Sequence, residues 1–322
     1  MTETEPSYTI SSVDPCNTVD DADTNINVTK ATLEITLGGE RRKLAAFQWR
    51  KGDLTERDVE AVIFLSHGYA EYLSSYYEVL AVSLAKNFNV AVIGHDHLGH
   101  GRSDGPQALP VVDFETDYVV PIIEHINHVN ENIFSHRPVF IVAHSMGGLM
   151  TVLTLLKEPS LAKGAVLIGP LLEMDPSKAT PFMVLLGKIL GSILPWLPLK
   201  GLDLNEVTRD EKAVEDMMKD GLRYMGGLKA KMAKEMLAGI ERVATADKAK
   251  FKAAMLVVLG EQDTICYPKG TKSFFDALLV EDKEYKEYPD ARHNLLMELK
   301  ETREALFHDI KLWIGDRIGG QM

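Results

Sequence analysis

Val139-Phe-Ile-Val-Ala143-His144-Ser145-Met146-Gly147-Gly148 is the stretch on which the reading of the fold turns. Residues 139–143 form a short, wholly apolar run, the pattern of a strand covered on both faces of a parallel sheet. Residues 147–156 follow with helical spacing, so a strand, a tight turn with small ends and a helix succeed one another. That is the setting of a nucleophile elbow, in which Ser145 is held on a strained turn with its Oγ above the sheet edge. The usual pattern is Gly-x-Ser-x-Gly, and Ala143 occupies its first position here with one extra methyl group. Free N–H groups at the start of the helix favour an oxyanion beside the serine. The plainer reading of Ser145 as a helix N-cap competes; the strand before it and the glycines after it weigh for the elbow.

Outward from the elbow the same rhythm repeats. Residues 32–37, 44–49, 61–66, 89–93 and 164–168 read as further strands, and 76–88 and 114–133 as amphipathic helices. Beyond Pro170 the strand rhythm stops until about Lys250. That stretch is helical in pattern and holds seven of the thirteen methionines, which suits an adaptable apolar lid. Strands at 253–259 and 284–288 and helices at 271–279 and 302–314 complete the chain. Alternating strands and helices specify an α/β fold with a mostly parallel central sheet and helices on both faces. A helical cap is inserted after the sixth strand. The division is therefore a core of 31–169 and 251–322, a cap of 170–250, and a flexible acidic arm of 1–30 with six acids and one base.

Composition narrows the function classes. The 322 residues carry 35 Lys+Arg against 47 Asp+Glu, a net charge of −12, which speaks against a nucleic-acid partner. Residues 179–250 are the exception, with twelve bases against ten acids. No apolar run reaches the ~18–20 residues of a membrane span; the richest, 181–198, is broken by Gly187, Lys188, Gly191 and prolines. Without a basic-then-apolar leader a cytoplasmic setting is expected. The two cysteines, Cys16 and Cys266, form neither a disulfide framework nor a metal-ligand spacing.

A serine nucleophile needs a base, and the base an orienting carboxylate. Asp263 follows the strand at 253–259, His293 follows the last short strand, and the order Ser…Asp…His suits the architecture. Glu261 and Asp290 are the fallback carboxylates. The loop His67-Gly-Tyr69-Ala-Glu71 after residues 61–66 supplies the second oxyanion donor, assigned to the Tyr69 backbone N–H beside that of Met146. A rival signal lies in His95-Asp-His97-Leu-Gly-His100, which echoes binuclear zinc hydrolases. Gly99 stands where the second metal needs an Asp, so these residues read as a polar loop bracing the same edge.

These motifs together resemble the α/β-hydrolase superfamily, and within it the monoacylglycerol lipase branch. The resemblance covers about residues 55–318 and rests on His67-Gly68, Asp96-His-Leu-Gly-His-Gly-Arg-Ser103, His144-Ser-Met-Gly-Gly148, Leu167-Ile-Gly-Pro170, and Asp263 with Cys266. It implies a cofactor-free, metal-free serine hydrolase that cleaves monoacylglycerol to fatty acid and glycerol, with Ser145, Asp263 and His293 catalytic. It also implies a cap that lines the acyl tunnel and makes peripheral membrane contact. Substrate contacts are assigned to Glu71, Tyr72, Tyr76, Met217 and Leu296. Three of these and a neighbour depart from the family pattern: Tyr72 replaces a His, Met217 a Tyr and Leu296 a His, and nearby Ser75 replaces an Arg, which puts strict preference for glycerol esters in question. Lysophospholipid, thioester and general carboxylic-ester hydrolysis stay open on the same fold, as do a zinc hydrolase and a non-catalytic binding protein. Oligomeric state is not readable.

Overall fold

Short apolar strands buried on both faces can be satisfied only inside a sheet flanked by helices, and the computed structural model builds that arrangement. It describes residues 8–14, 25–37, 40–105, 107–108, 113–177 and 179–319. Three strands, β1 (Tyr8–Asp14), β2 (Ile26–Leu37) and β3 (Glu40–Lys51), precede β4 (Ala61–Ser66), α1 (Tyr76–Asn87) and β5 (Val90–His95). Then come α2 (Val120–Asn132), β6 (Val139–His144), α3 (Met146–Lys157) and β7 (Gly164–Ile168). Four helices intervene: α4 (Pro181–Ile193), α5 (Leu204–Val207), α6 (Glu211–Lys219) and α7 (Ala230–Thr245). The chain closes with β8 (Ala254–Gly260), α8 (Pro268–Ala277), β9 (Lys283–Tyr288) and α9 (Lys300–Ile318).

Among the described residues the sheet has nine strands in the order β1-β2-β3-β5-β4-β6-β7-β8-β9. Pairing is antiparallel from β1 to β5 and parallel from β5 to β9. Alternate side chains of β6 feed opposite layers. Ile141 and Ala143 join α2 and α3 on one face, while Phe140 and Val142 join α1 and α9 on the other. The order reverses around β4, with β5 on one side and β6 on the other. That is where open α/β sheets leave a crevice beyond their strand C-termini.

The arm expected over 1–30 needs correction. Residues Tyr8–Asp14 form an edge strand in antiparallel register with β2, Tyr8 opposite Ile35, and β2 itself begins at Ile26. The acidic composition concealed the β-branched and aromatic content of Tyr8-Thr-Ile-Ser-Ser-Val13, which favours extended backbone. Residues 1–7 and 15–24 lie outside the described residues. The extra strand also makes the helical insertion follow the seventh strand.

The insertion is not uniform in its packing. Met232, Met236 and Val243 of α7 belong to the same apolar cluster as Leu149 and Leu153 of α3. At Gly239 the contact is so close that a Cβ would stand 3.2 Å from Leu149 and 3.3 Å from Leu153. By contrast, α4 leaves Phe182 (71%), Leu185, Ile189 and Ile193 (70%) exposed, with Trp196 just beyond it. Among the described residues no helix is long and apolar enough to cross a membrane.

Candidate active site

The elbow is built by close approach. Ser145 sits at φ 55°, ψ −118°, a region costly to a residue with a side chain by ~1–3 kcal/mol. Neighbouring strands hold it there: its N–H donates to the Ile168 carbonyl at the end of β7 (3.0 Å), and its carbonyl accepts from Gly148 and Leu171 (2.9 and 3.0 Å). Ala143 lies in register between Ser66 of β4 and Leu167 of β7. Gly147 has no room for more: a Cβ would stand 2.3 Å from the Ser66 carbonyl oxygen and 2.7 Å from that of His67. The glycine lets the helix start directly over the end of β4.

Two loops from far along the chain meet the serine. His293 Nε2 lies 3.0 Å from Ser145 Oγ, and His293 Nδ1 lies 2.8 Å from Asp263 Oδ2. The other oxygen of Asp263 accepts from the Ile265 and Cys266 N–H groups (2.8 and 2.9 Å), which fixes the carboxylate's orientation. Burial acts against a charged His293, yet the Asp263 carboxylate and the Cys266 sulfur hold its pKa well above the ordinary value. Glu261 and Asp290 are exposed on the surface. The His293 loop is braced by Glu298, a buried carboxylate that sequence reading missed. It accepts from the Arg292 N–H (2.9 Å) and from Arg209 Nε of the insertion (2.9 Å). Only the spacing Arg292…Glu298 would have hinted at it.

Asp263, Cys266 and His293 are also the group among the described residues whose donor atoms, all within 4.8 Å, could converge on a metal. The zinc-like histidines do not converge. His95 Nδ1 faces His125 Nδ1 (3.0 Å), His97 Nε2 faces Ser66 Oγ (3.3 Å), and His100 Nδ1 donates to the Leu98 carbonyl (3.1 Å). His67 donates from Nδ1 to the Gly68 carbonyl (2.8 Å) and accepts the His97 N–H at Nε2 (2.8 Å). Both contacts suit a neutral ring, and burial, aided by His100, lowers its pKa to about 3. Asp96 braces the edge as expected of a polar loop, accepting from the Leu73 and Arg102 N–H groups (2.8 and 2.9 Å).

A cavity of about 220 Å³ opens over Ser145 and His293, with Tyr69 and Met146 also in its wall. Its apolar lining comes largely from the insertion, including Leu202, Val207, Met225, Leu228 and Met236. A second cavity of about 210 Å³ shares Leu171, Met174, Leu228 and Met236 with it and continues to α4 and α7. Of the five residues assigned to substrate contact, Glu71 lines the first cavity. Tyr72, Tyr76, Met217 and Leu296 are not among its lining residues. Tyr72 donates to Asp220 (2.7 Å), Met217 packs with Val207, Ala213 and Met297 beside half-buried Tyr76, and Leu296 is buried under the sheet against α1 and α9. Each is used in packing or in tying the insertion to the body.

Glu71 itself is a buried hub. It accepts from the Gly68 N–H (3.0 Å), Tyr77 Oη (2.6 Å), His144 Nδ1 (3.0 Å) and Asn294 Nδ2 (2.7 Å). Burial would push its carboxyl up, but His144, Arg223 and Tyr77 hold it well below the ordinary carboxylate range. Arg223, Tyr224 and Lys200 of the cavity wall were not read from the sequence, because they lie in non-periodic loops.

Comparison with known proteins agrees with this architecture. The Hydrolase_4 family model, described as serine aminopeptidase, S33, matches residues 57–300. Human monoglyceride lipase is 35% identical over 80% of this chain and 83% of its own. The crystal structure of Paleococcus ferrophilus monoacylglycerol lipase is similar at TM-score 0.68 and 26% identity, covering 84% of this chain and 98% of that one. A soluble variant of Saccharomyces cerevisiae monoglyceride lipase, solved with a substrate analog, shares the fold at TM-score 0.73 and 21% identity, covering 86% and 92%. The chain belongs to the serine aminopeptidase S33 family of α/β hydrolases, in its monoacylglycerol lipase branch, and is a serine ester hydrolase.

Proposed function

We propose that this enzyme hydrolyses monoacylglycerols to fatty acid and glycerol through Ser145, His293 and Asp263. The observation that carries the reading is the hydrogen-bonded run from Ser145 Oγ through His293 to Asp263, opening onto a mainly apolar cavity. Ser145 attacks the ester carbonyl while His293 takes its proton, and Asp263 holds the imidazole in the required orientation. The Tyr69 and Met146 N–H groups receive the oxyanion, a contribution worth ~10²–10³ in rate per donor. His293 then protonates the departing glycerol oxygen, and water releases the acyl group from Ser145 by the same steps in reverse.

Residues 170–250 act as the cap on a core formed by 31–169 and 251–322. The two adjoining cavities supply the acyl path, and the shared wall of Leu171, Met174, Leu228 and Met236 divides it. The exposed apolar face of α4 supports peripheral contact with a bilayer, from which the substrate is drawn. The test is hydrolysis of 1-oleoylglycerol and labelling by an active-serine phosphonate. Ser145→Ala should lose at least ~10³-fold in rate and all labelling with its melting temperature retained; undiminished turnover by that variant would overturn the mechanism.

A further inference from the structure

The geometry points to Arg223 as the anchor of an anion-accepting subsite on the leaving-group side of the cavity, fitted to acyl esters whose alcohol carries a phosphate. This rests on the ester-hydrolysis reading above and extends its substrate class.

Arg223 lies in the loop after α6, is 7% exposed, and lines the cavity that holds Ser145. A buried guanidinium is costly unless its donors are used. Among the described residues its ion-pair partner is Glu71, at 3.9 Å from Nη1 to Oε1, beyond hydrogen-bond range. Glu71 is already held by four donors, those of Gly68, Tyr77 and His144 on Oε2 and that of Asn294 on Oε1. Among the described residues no hydrogen bond takes up the Arg223 guanidinium, whose residue lines the cavity, so its donors are open to a ligand there.

The charge of the wall has the same sense. Arg223 and, at the rim, exposed Lys200 are its basic residues, and Glu71 is its one carboxylate among the lining residues. The position is also set. Tyr72 Oη donates to Asp220 Oδ2 (2.7 Å), Asp220 Oδ1 accepts the Leu222 N–H (2.9 Å), and the Arg223 N–H donates to the Asp220 carbonyl (3.3 Å). Tyr72 is therefore a positioning residue for Arg223. A Cβ on Gly68 would stand 2.7 Å from Glu71 Oε2 and 3.1 Å from Ser145 Cβ, so Glu71, the ion-pair partner of Arg223, lies a residue's breadth from the serine.

A guanidinium presents a planar fork that matches phosphate oxygens. With the acyl chain among the apolar side chains and the ester at Ser145, a glycerol bearing a phosphate extends toward Arg223. Hydrolysis consumes one water, leaves the fatty acid, and releases the glycerol phosphate with the proton delivered by His293.

The test compares initial rates on 1-oleoylglycerol, 1-oleoylglycerol 3-phosphate and 1-oleoylglycero-3-phosphocholine in one detergent, for the full chain and for Arg223→Gln and Arg223→Lys. The wild type is expected to hydrolyse at least one phosphate ester; which one distinguishes a monoester from a diester headgroup. In Arg223→Gln the ratio of kcat/KM on that phosphate ester to kcat/KM on 1-oleoylglycerol should fall at least ~30-fold, mainly through KM, with Arg223→Lys between. Glycerol 3-phosphate should inhibit wild-type turnover of 1-oleoylglycerol at concentrations where glycerol does not, a readout that stands even where a variant fails to fold. An unchanged ratio, no inhibition by glycerol 3-phosphate, or hydrolysis confined to 1-oleoylglycerol overturns the subsite. Failure on all three esters overturns the parent reading instead.

Discussion

His293 Nε2 stands 3.0 Å from Ser145 Oγ across a sequence separation of 148 residues. The base must be unprotonated to accept the serine's proton. Burial disfavours the imidazolium, but Asp263 and Cys266 outweigh it and raise the His293 pKa above its ordinary 6.5. Activity should therefore rise with pH through a midpoint above 6.5 in the free enzyme. Asp263→Asn removes the facing carboxylate, so the rising limb should move to lower pH while the rate falls by on the order of 10³–10⁴. A pH series of kcat/KM checks both; an unmoved limb would separate Asp263 from the base.

Glu71→Gln should destabilise the fold by about 3 kcal/mol, because the amide cannot accept all four donors and leaves Arg223 without a countercharge. The sign of its pH dependence follows from a depressed folded pKa. The stabilisation is in place above the ordinary 4.5 and is lost as pH falls below it. Denaturation midpoints taken from pH 7 downward should show a shallower acid limb in the variant than in the wild type.

Gly147→Ala should cost about 1–3 kcal/mol, read as a melting temperature lower by roughly 5 °C, since the added methyl meets two backbone carbonyls that cannot rotate away. Turnover should fall with it, because relief of the clash displaces the first turn of α3. Equal melting temperatures would show that the elbow tolerates more separation from β4 than its contacts indicate.

Phe182→Ser combined with Ile193→Ser should lower binding to phosphatidylcholine vesicles at least ~10-fold, as two largely exposed apolar side chains leave the contact face. Thermal stability should be unchanged, since neither is buried. Sedimentation with vesicles and a melting curve provide the two readouts.

Much of this molecule could be read from the chain because its signals are local. Residues 139–148 show strand, turn and helix in ten letters, and Asp263 and His293 each follow a short apolar strand. The mostly parallel pairing follows from the same rhythm, whereas the strand order was not read from it. β1 was obscured because its pairing with β2 is a long-range event, while the acids around it dominate the local composition. The cavity wall was harder still. Arg223 and Tyr224 lie in a loop whose position depends on Asp220 meeting Tyr72, a contact that no periodicity announces. Tyr76, Met217 and Leu296 drew attention through the positions they hold in the family pattern, whereas their packing is set by neighbours, Val207 and Met297 for Met217 and the α1 and α9 side chains for Leu296. Local chemistry is written in order along the chain; the shape of a pocket is written in contacts between distant loops.

The seating of α7 on α3 has a mechanical consequence. The helix whose first turn follows Ser145 also bears, through Leu149 and Leu153, the longest helix of the insertion at Gly239. Helix α4 is in turn seated on α7, where a Cβ on Gly191 would stand 2.6 Å from the Ala230 carbonyl oxygen and Lys188 pairs with Glu241, so α7 is the post on which α4 is hung. Any load that tilts that post reaches the serine through a single rigid rod of three turns, so the frame that admits substrate and the frame that aligns the nucleophile share one bearing.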